Sequence, residues 1–359
     1  MVSGHVARAL LVLNTEAVKV IPYRERPYFP SVWFGIALLV FLVVLLGVFG
    51  QSKDWLNYDE MFDVLRVSGL DDGDGDEDYN RIEVGFNVLA FSLINLSLSN
   101  VATYGVIAAI AVFLKCVAMN AFVRTGTAYF FVVLFYLFAF APLHELTQLR
   151  AALAIALLFV AYALLIRGRN LQAFAVTLTA IAFHISAALL IPLFVIVALL
   201  ERDFVALTRA RAIAFGFAVF AVAAGLIAVI IAYFEEELPI IAAYQEFGFG
   251  DVPTNPFAPH ILLNLAMVLT GICLWDRLSR SMRYVLCFQF AGLGVFYATL
   301  DFQVVASRVY DLAQTFWVFY IGEGVDSEEP LVRFTTQVFV LSAVAAFSYI
   351  YFFSGNFFQ

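Results

Sequence analysis

Residues 148–202 read QLRAALAIALLFVAYALLIRGRNLQAFAVTLTAIAFHISAALLIPLFVIVALLER. Two apolar runs, 149–166 and 171–200, flank a short turn that holds Arg167 and Arg169. The first run has the length of one membrane crossing. The second, 30 residues long, would extend about 45 Å as a single helix, against a hydrocarbon core of about 30 Å. Basic residues stand at both of its ends, so it should cross an even number of times. The spacing predicts two short helices meeting near Phe183 and His184, with the turn inside a cavity that can satisfy its backbone. One long tilted helix is the competing reading, and it would carry Arg202, Arg209 and Arg211 to the opposite side.

The rest of the chain has the same character. Of 359 residues, 63% are hydrophobic and only 13% charged, and the mean hydropathy is +0.92. Soluble domains run at about 45–50% apolar and about 25% charged, so a soluble fold is excluded. Further apolar runs lie at 31–50, 101–123, 127–141, 212–234, 259–275, 284–300, 304–321 and 332–353. The expected fold is all-α: a polytopic transmembrane helix bundle of about ten or eleven membrane segments, some of them short, broken or re-entrant. Residues 1–30 read as a cytoplasmic segment. Their apolar patch is too short for a secretory signal, and no cleavage site follows it. Residues 31–359 read as one transmembrane domain.

Lys and Arg set the orientation, because they stay in the cytoplasm. The basic clusters are the N-terminal segment, Lys115/Arg124, Arg167/Arg169, Arg202/Arg209/Arg211 and Arg277/Arg280/Arg283. Residues 51–84 instead carry eleven acidic side chains against Lys53, Arg66 and Arg81. This loop and a second at 235–258 belong outside, so the protein is expected in the cytoplasmic membrane with its N-terminus inside. Residues 85–98 are too few to span and read as an interfacial or re-entrant piece on the outer face. The acidic stretch 322–330 falls inside by counting, and acidic residues weigh little in that rule. The net charge of −8 excludes a broad basic face for nucleic acid.

Charged and polar groups at membrane depth default to function. One set gathers at the outer helix ends: His144, Glu145, Gln148 and Arg150, then His184, then Asp301, Gln303 and Arg308. Arg150 is either paired with Glu145 and headgroups or part of an anion site, since a guanidinium fork matches phosphate oxygens. His184 is either a core histidine bonded to a carbonyl or a donor and acid–base group. Arg308 either pairs with Asp301 or Asp311 or joins the anion site. His144 and His260 read as loop residues. The run DDGDGDED at 71–78 reads as a solvated acidic loop, because it lacks the terminal glutamate of a calcium loop. No spacing of His, Cys and Asp suggests a metal site. Cys116, Cys273 and Cys287 read as buried hydrophobes.

Five short motifs occur in order. They are Asp54-Trp55-Leu56-Asn57-Tyr58 with Phe62, Glu83-Val84-Gly85-Phe86, Gln148-Leu149-Arg150-Ala151-Ala152-Leu153-Ala154, Ala182-Phe183-His184-Ile185-Ser186-Ala187 and Ser307-Arg308-Val309-Tyr310. Together they resemble the EpsG family of Wzy-type polysaccharide polymerases. Valine replaces the family's proline at 84, and Tyr310 follows its arginine two positions later where the family has four.

The resemblance implies a GT-C-like, inverting, metal-independent glycosyltransferase without cofactor. It would join oligosaccharide repeat units carried on undecaprenyl diphosphate, as donor and acceptor, at the outer face of the membrane. A chain-length regulator and a flippase would be its partners besides the lipid bilayer, with no nucleic acid. It implies Arg150 and Arg308 as diphosphate ligands, and His184, Asp54 and Glu83 as catalytic groups. Tyr58, Glu145, Gln148 and Tyr310 are the implied substrate contacts. Two other classes fit a polytopic chain with buried polar groups: a membrane O-acyltransferase of surface glycans, and a flippase or transporter of lipid-linked sugars. The first would be expected to take its acyl donor from the cytoplasm, whereas the polar set faces outward. The second often shows repeated halves, and none is visible.

Overall fold

The computed structural model describes residues 54–70, 83–191, 255–300 and 303–353, with short pieces between 194 and 229. The described residues form helices and no strand. In order these are α1 (Trp55–Ser68), α2 (Val84–Asn95), α3 (Asn100–Met119), α4 (Gly126–Ala139), α5 (Ala141–His144), α6 (Leu149–Ile166) and α7 (Asn170–Phe183). After a 3-10 turn at Ile185–Leu190 come α8 (Pro259–Cys273), α9 (Arg280–Ala298), α10 (Gln303–Gln314), α11 (Trp317–Val325) and α12 (Pro330–Ser348). The chain is an all-α membrane helix bundle. Among the described residues α3, α6 and α12 are long and apolar enough to cross a bilayer. The expected spans at 31–50 and most of 212–234, the acidic run at 71–78 and Asp301 lie outside the described residues.

α6 is the central helix. Ala151, Ala152, Ala154, Ala156, Ala161 and Ala163 are all buried in it, and α3 and α7 pack along it. Small residues let helix backbones approach where lipid offers no hydrophobic drive to associate. The starts of the helices follow from local chemistry. Ser99, Thr125 and Ser279 each accept a hydrogen bond from a backbone N–H of the first turn of α3, α4 and α9, the ordinary N-cap arrangement.

The 30-residue run is broken as expected: α7 stops at Phe183 and His184 is extended, with φ −158° and ψ 118°. Beyond the break, Phe194 packs against Phe288 and Phe316, and Phe316 also meets Phe159 and Tyr162 of α6. Arg150 lies beside His184 at the other end of α6, nine residues or about 13 Å away along the axis. The chain has therefore turned back into the bundle, as the hairpin reading requires.

Two elements differ from the sequence expectation. Residues 51–84 are not loop throughout, because α1 lies within them. Trp55, Tyr58, Phe62 and Leu65 recur at helical spacing and are buried in a small core with α2, α3 and the first half of α6. The run 304–321 is two helices, α10 and α11, that meet at Thr315 and Phe316.

The acidic stretch 322–330 lies at the end of the bundle away from His184. Asp326 accepts from the backbone N–H groups of Arg124 (2.5 Å) and Thr125 (3.1 Å), placing an anion at the N-terminus of α4 where the helix dipole favours it. Glu323 accepts from Ser279, and Glu329 lies 3.8 Å from Arg277. Each of these three carboxylates thus has a local partner, one of them basic. Lys115 is a correction. Counted above among cytoplasmic cations, it is fully buried, its ammonium bonded to Glu145 and to the Tyr136 hydroxyl at 2.7 Å. Charge counting assumes a solvated lysine, and a buried carboxylate partner removes that assumption.

Candidate active site

The site forms where several elements end together. Glu83 immediately precedes α2, Arg150 lies in the first turn of α6, His184 follows the last turn of α7, and Asp54 precedes α1. Gly85 makes the junction possible. A β-carbon there would sit 2.9 Å from the carbonyl oxygen of Ala182, so the first turn of α2 rests directly on the last turn of α7. That approach carries Glu83 onto His184.

Glu83 is the hub. One carboxylate oxygen lies 2.6 Å from Nδ1 of His184 and the other 2.7 Å from the guanidinium of Arg150. Burial alone would raise the pKa of this carboxyl. The His184 hydrogen bond and the Arg150 charge outweigh burial and hold it below its ordinary value, so Glu83 stays ionised near neutrality. Tyr58 lies beneath Arg150: the Arg150 backbone N–H donates to its hydroxyl at 3.4 Å, and the guanidinium stands 5.8 Å from the ring centroid. This is cation–π distance. A third of the Arg150 side chain remains exposed, so it is held on one side and open on the other.

Arg308, in α10, belongs to the same neighbourhood, since its charge acts on Asp54 and on His144. Among the described residues it forms no ion pair. Asp54 is half-buried. Burial raises its pKa, and the charges of Arg308 and then Arg150 offset part of the rise. The two carboxylates are therefore tuned apart, one locked as an anion and one moved toward the range of a working base.

The structure thus brings together Asp54, Tyr58, Glu83, Arg150, His184 and Arg308, with the half-exposed Gln148 two residues before Arg150. Two expected substrate contacts fall outside the cluster. Glu145 is fully buried, and one oxygen of its carboxylate is bound by both Lys115 and the Tyr136 hydroxyl. Tyr310 is 1% exposed, and its hydroxyl donates to the carbonyl of His260 at 3.2 Å and accepts from Gln314. In the structure both side chains lie buried apart from the cluster, Tyr310 with its hydroxyl bonded and Glu145 with one carboxylate oxygen bound by Lys115 and Tyr136. Arg150 does not pair with Glu145. His144 was read as a loop residue and is instead buried at the end of α5. The buried Lys115–Glu145 pair was missed, although a lysine inside an apolar helix was the available signal. Among the described residues no group of three or more His, Cys, Asp or Glu side chains is placed to hold a metal ion.

Comparison with curated proteins and with solved structures gave no match. A family model described as the EpsG family matches residues 32–359, nearly the whole chain. With that match on a membrane helix bundle, the chain belongs to the EpsG family, a Wzy-type polymerase family of polysaccharide synthesis.

Proposed function

We propose that the chain polymerises oligosaccharide repeat units carried on undecaprenyl diphosphate, with its site at the outer face of the cytoplasmic membrane. The observation that carries this reading is the bridge made by Glu83, which holds Arg150 and His184 side by side while Arg150 stays partly open. Transfer from a lipid diphosphate builds negative charge on the leaving group. Fixed cationic donors in a site poor in water stabilise that charge most strongly.

In this reading Arg150 and Arg308 bind the diphosphate and His184 donates a hydrogen bond to it. The guanidinium groups supply the positive charge a divalent ion would otherwise bring. Asp54 takes the proton of the acceptor hydroxyl as its oxygen bonds to the anomeric carbon. The bond from that carbon to the diphosphate breaks, and its electron pair leaves with the phosphate. One such displacement inverts the anomeric centre. Glu83 orients both cations, Tyr58 supports Arg150, and Gln148 contacts the sugar. The outward orientation rests on the basic residues at the opposite end of the bundle. Residues 1–30 form a cytoplasmic segment and 31–359 one transmembrane domain.

The test is purified protein in proteoliposomes with lipid-linked repeat units, read as a ladder of longer glycans. Arg150→Ala and Arg308→Ala are expected to abolish the ladder while still accumulating in the membrane. Normal ladders from both would sink the reading.

A further inference from the structure

His144 ends the four-residue helix α5. Its ring stacks on Phe140, with centroids 5.6 Å apart and planes at 6°, and the residue is 1% exposed. Nδ1 is buried without a hydrogen-bond partner. A buried polar atom left unpaired is costly and rare, so this nitrogen calls for a ligand.

The backbone on both sides of the ring is pinned. The His144 N–H donates to the carbonyl of Phe140 at 2.8 Å, and its own carbonyl accepts from the N–H of Gln148 at 3.1 Å. The next residue, Glu145, is held by Lys115 and Tyr136 at its carboxylate and by the Tyr104 hydroxyl at its carbonyl, 3.1 Å away. The backbone that carries the imidazole is therefore held in place, and the ring lies stacked on Phe140. The charged groups acting on it are Lys115 of α3, Arg308 of α10 and His184 of the α7 break, all cationic or able to become so. Lys115 is already neutralised by Glu145, so Arg308 is the cation left to draw a ligand, and an anionic oxygen that enters beside it can accept from the imidazole N–H.

We propose that His144 is a further diphosphate-binding residue of this site, donating a hydrogen bond from its ring to a phosphate oxygen of the leaving group. It transfers no proton. The inference rests on the polymerase reading above and adds a neutral donor to the cations named there. The Lys115–Glu145 pair acts as its anchor.

The test uses the full-length protein in proteoliposomes with lipid-linked repeat units, with geranyl diphosphate as inhibitor. His144→Phe keeps the stack on Phe140 and removes the ring nitrogens. It is expected to lower kcat by about 10²-fold and to weaken inhibition by about tenfold, with acceptor KM unchanged. His144→Asn, whose amide reaches the position of Nδ1, should restore most of both. His144→Gln, which reaches Nε2 instead, should not. Wild-type kcat and inhibition in His144→Phe would overturn the inference, and so would equal losses in the Asn and Gln variants. If His144→Phe fails to accumulate, the Asn and Gln comparison decides alone. Arg150→Ala separates the two levels. If it too polymerises and is inhibited normally, the diphosphate reading itself falls; if only the His144 variants behave as wild type, this inference alone falls.

Discussion

Arg150 pairs with Glu83, from a different element, and leaves its near neighbour Glu145 to Lys115. The fold thereby holds one partly open pair at the site and one fully buried pair apart from it. Glu83 also holds His184, so a single carboxylate fixes the geometry of both proposed diphosphate donors.

Removing that carboxylate charge should therefore disorder both at once. Glu83→Gln is expected to lower kcat in the ladder assay by about 10²- to 10³-fold, with smaller effects on membrane accumulation. A near-normal kcat would show that Arg150 and His184 need no alignment by Glu83.

The pH dependence follows from Asp54. Its pKa is raised by burial and only partly pulled back by Arg308 and Arg150. As a base it must be ionised, so activity should fall as pH drops through this raised value. Glu83, with its lowered pKa, remains charged through that window and contributes no limb there. For stability the sign is reversed from a salt-bridged carboxylate. A raised pKa means the fold disfavours the charged form, so Asp54 costs stability above its folded pKa and the cost fades on acidification. Asp54→Asn should thus lose activity while its thermal midpoint at pH 7 stays level or rises. A clear fall in midpoint would contradict this.

How much of this was legible in the sequence follows the physics of each signal. Hydropathy located α6 to the residue, and the length of the run after it located the break at His184, because membrane thickness is a fixed ruler. The order of motifs named Asp54, Glu83, Arg150, His184 and Arg308, which the fold brings into one neighbourhood. What sequence did not reveal was partnership. Glu145 is as close to Arg150 in sequence as any carboxylate, yet the fold turns it toward Lys115. Tyr310 follows an arginine of the site by two positions, and on a helix that puts it on another face. α1 was hidden by its charge: its mean composition is that of a polar loop, and only the spacing of Trp55, Tyr58, Phe62 and Leu65 betrays a buried face.

The buried pair should behave as a unit. Lys115→Met leaves the Glu145 charge unpaired in the interior, and loss of one partner of a buried pair costs about 3–5 kcal/mol. The double variant Lys115→Met with Glu145→Gln should recover much of that loss. Thermal unfolding in detergent would read both. Equal stability of the single variant and the wild type would show that the pair is not structural.

Topology can be read by labelling. A cysteine at Ala258, just before α8, should react with an impermeant thiol reagent applied from outside. A cysteine at the exposed Glu328, in the stretch beside Arg277, should react only after permeabilisation. The reverse pattern would invert the protein in the membrane.

Lys115 and Glu145 lie thirty positions apart in the chain, so the lysine leaves the ribosome well before its partner exists. A lysine at the centre of a helix costs about 2.5–3.5 kcal/mol on insertion scales; Lys115, four residues from the end of α3, costs less than that, and its carboxylate partner arrives only after α5. Insertion of α3 is therefore expected to become more favourable once the segment through Glu145 has been synthesised. One ion pair thus links two segments of the chain that are made at different times.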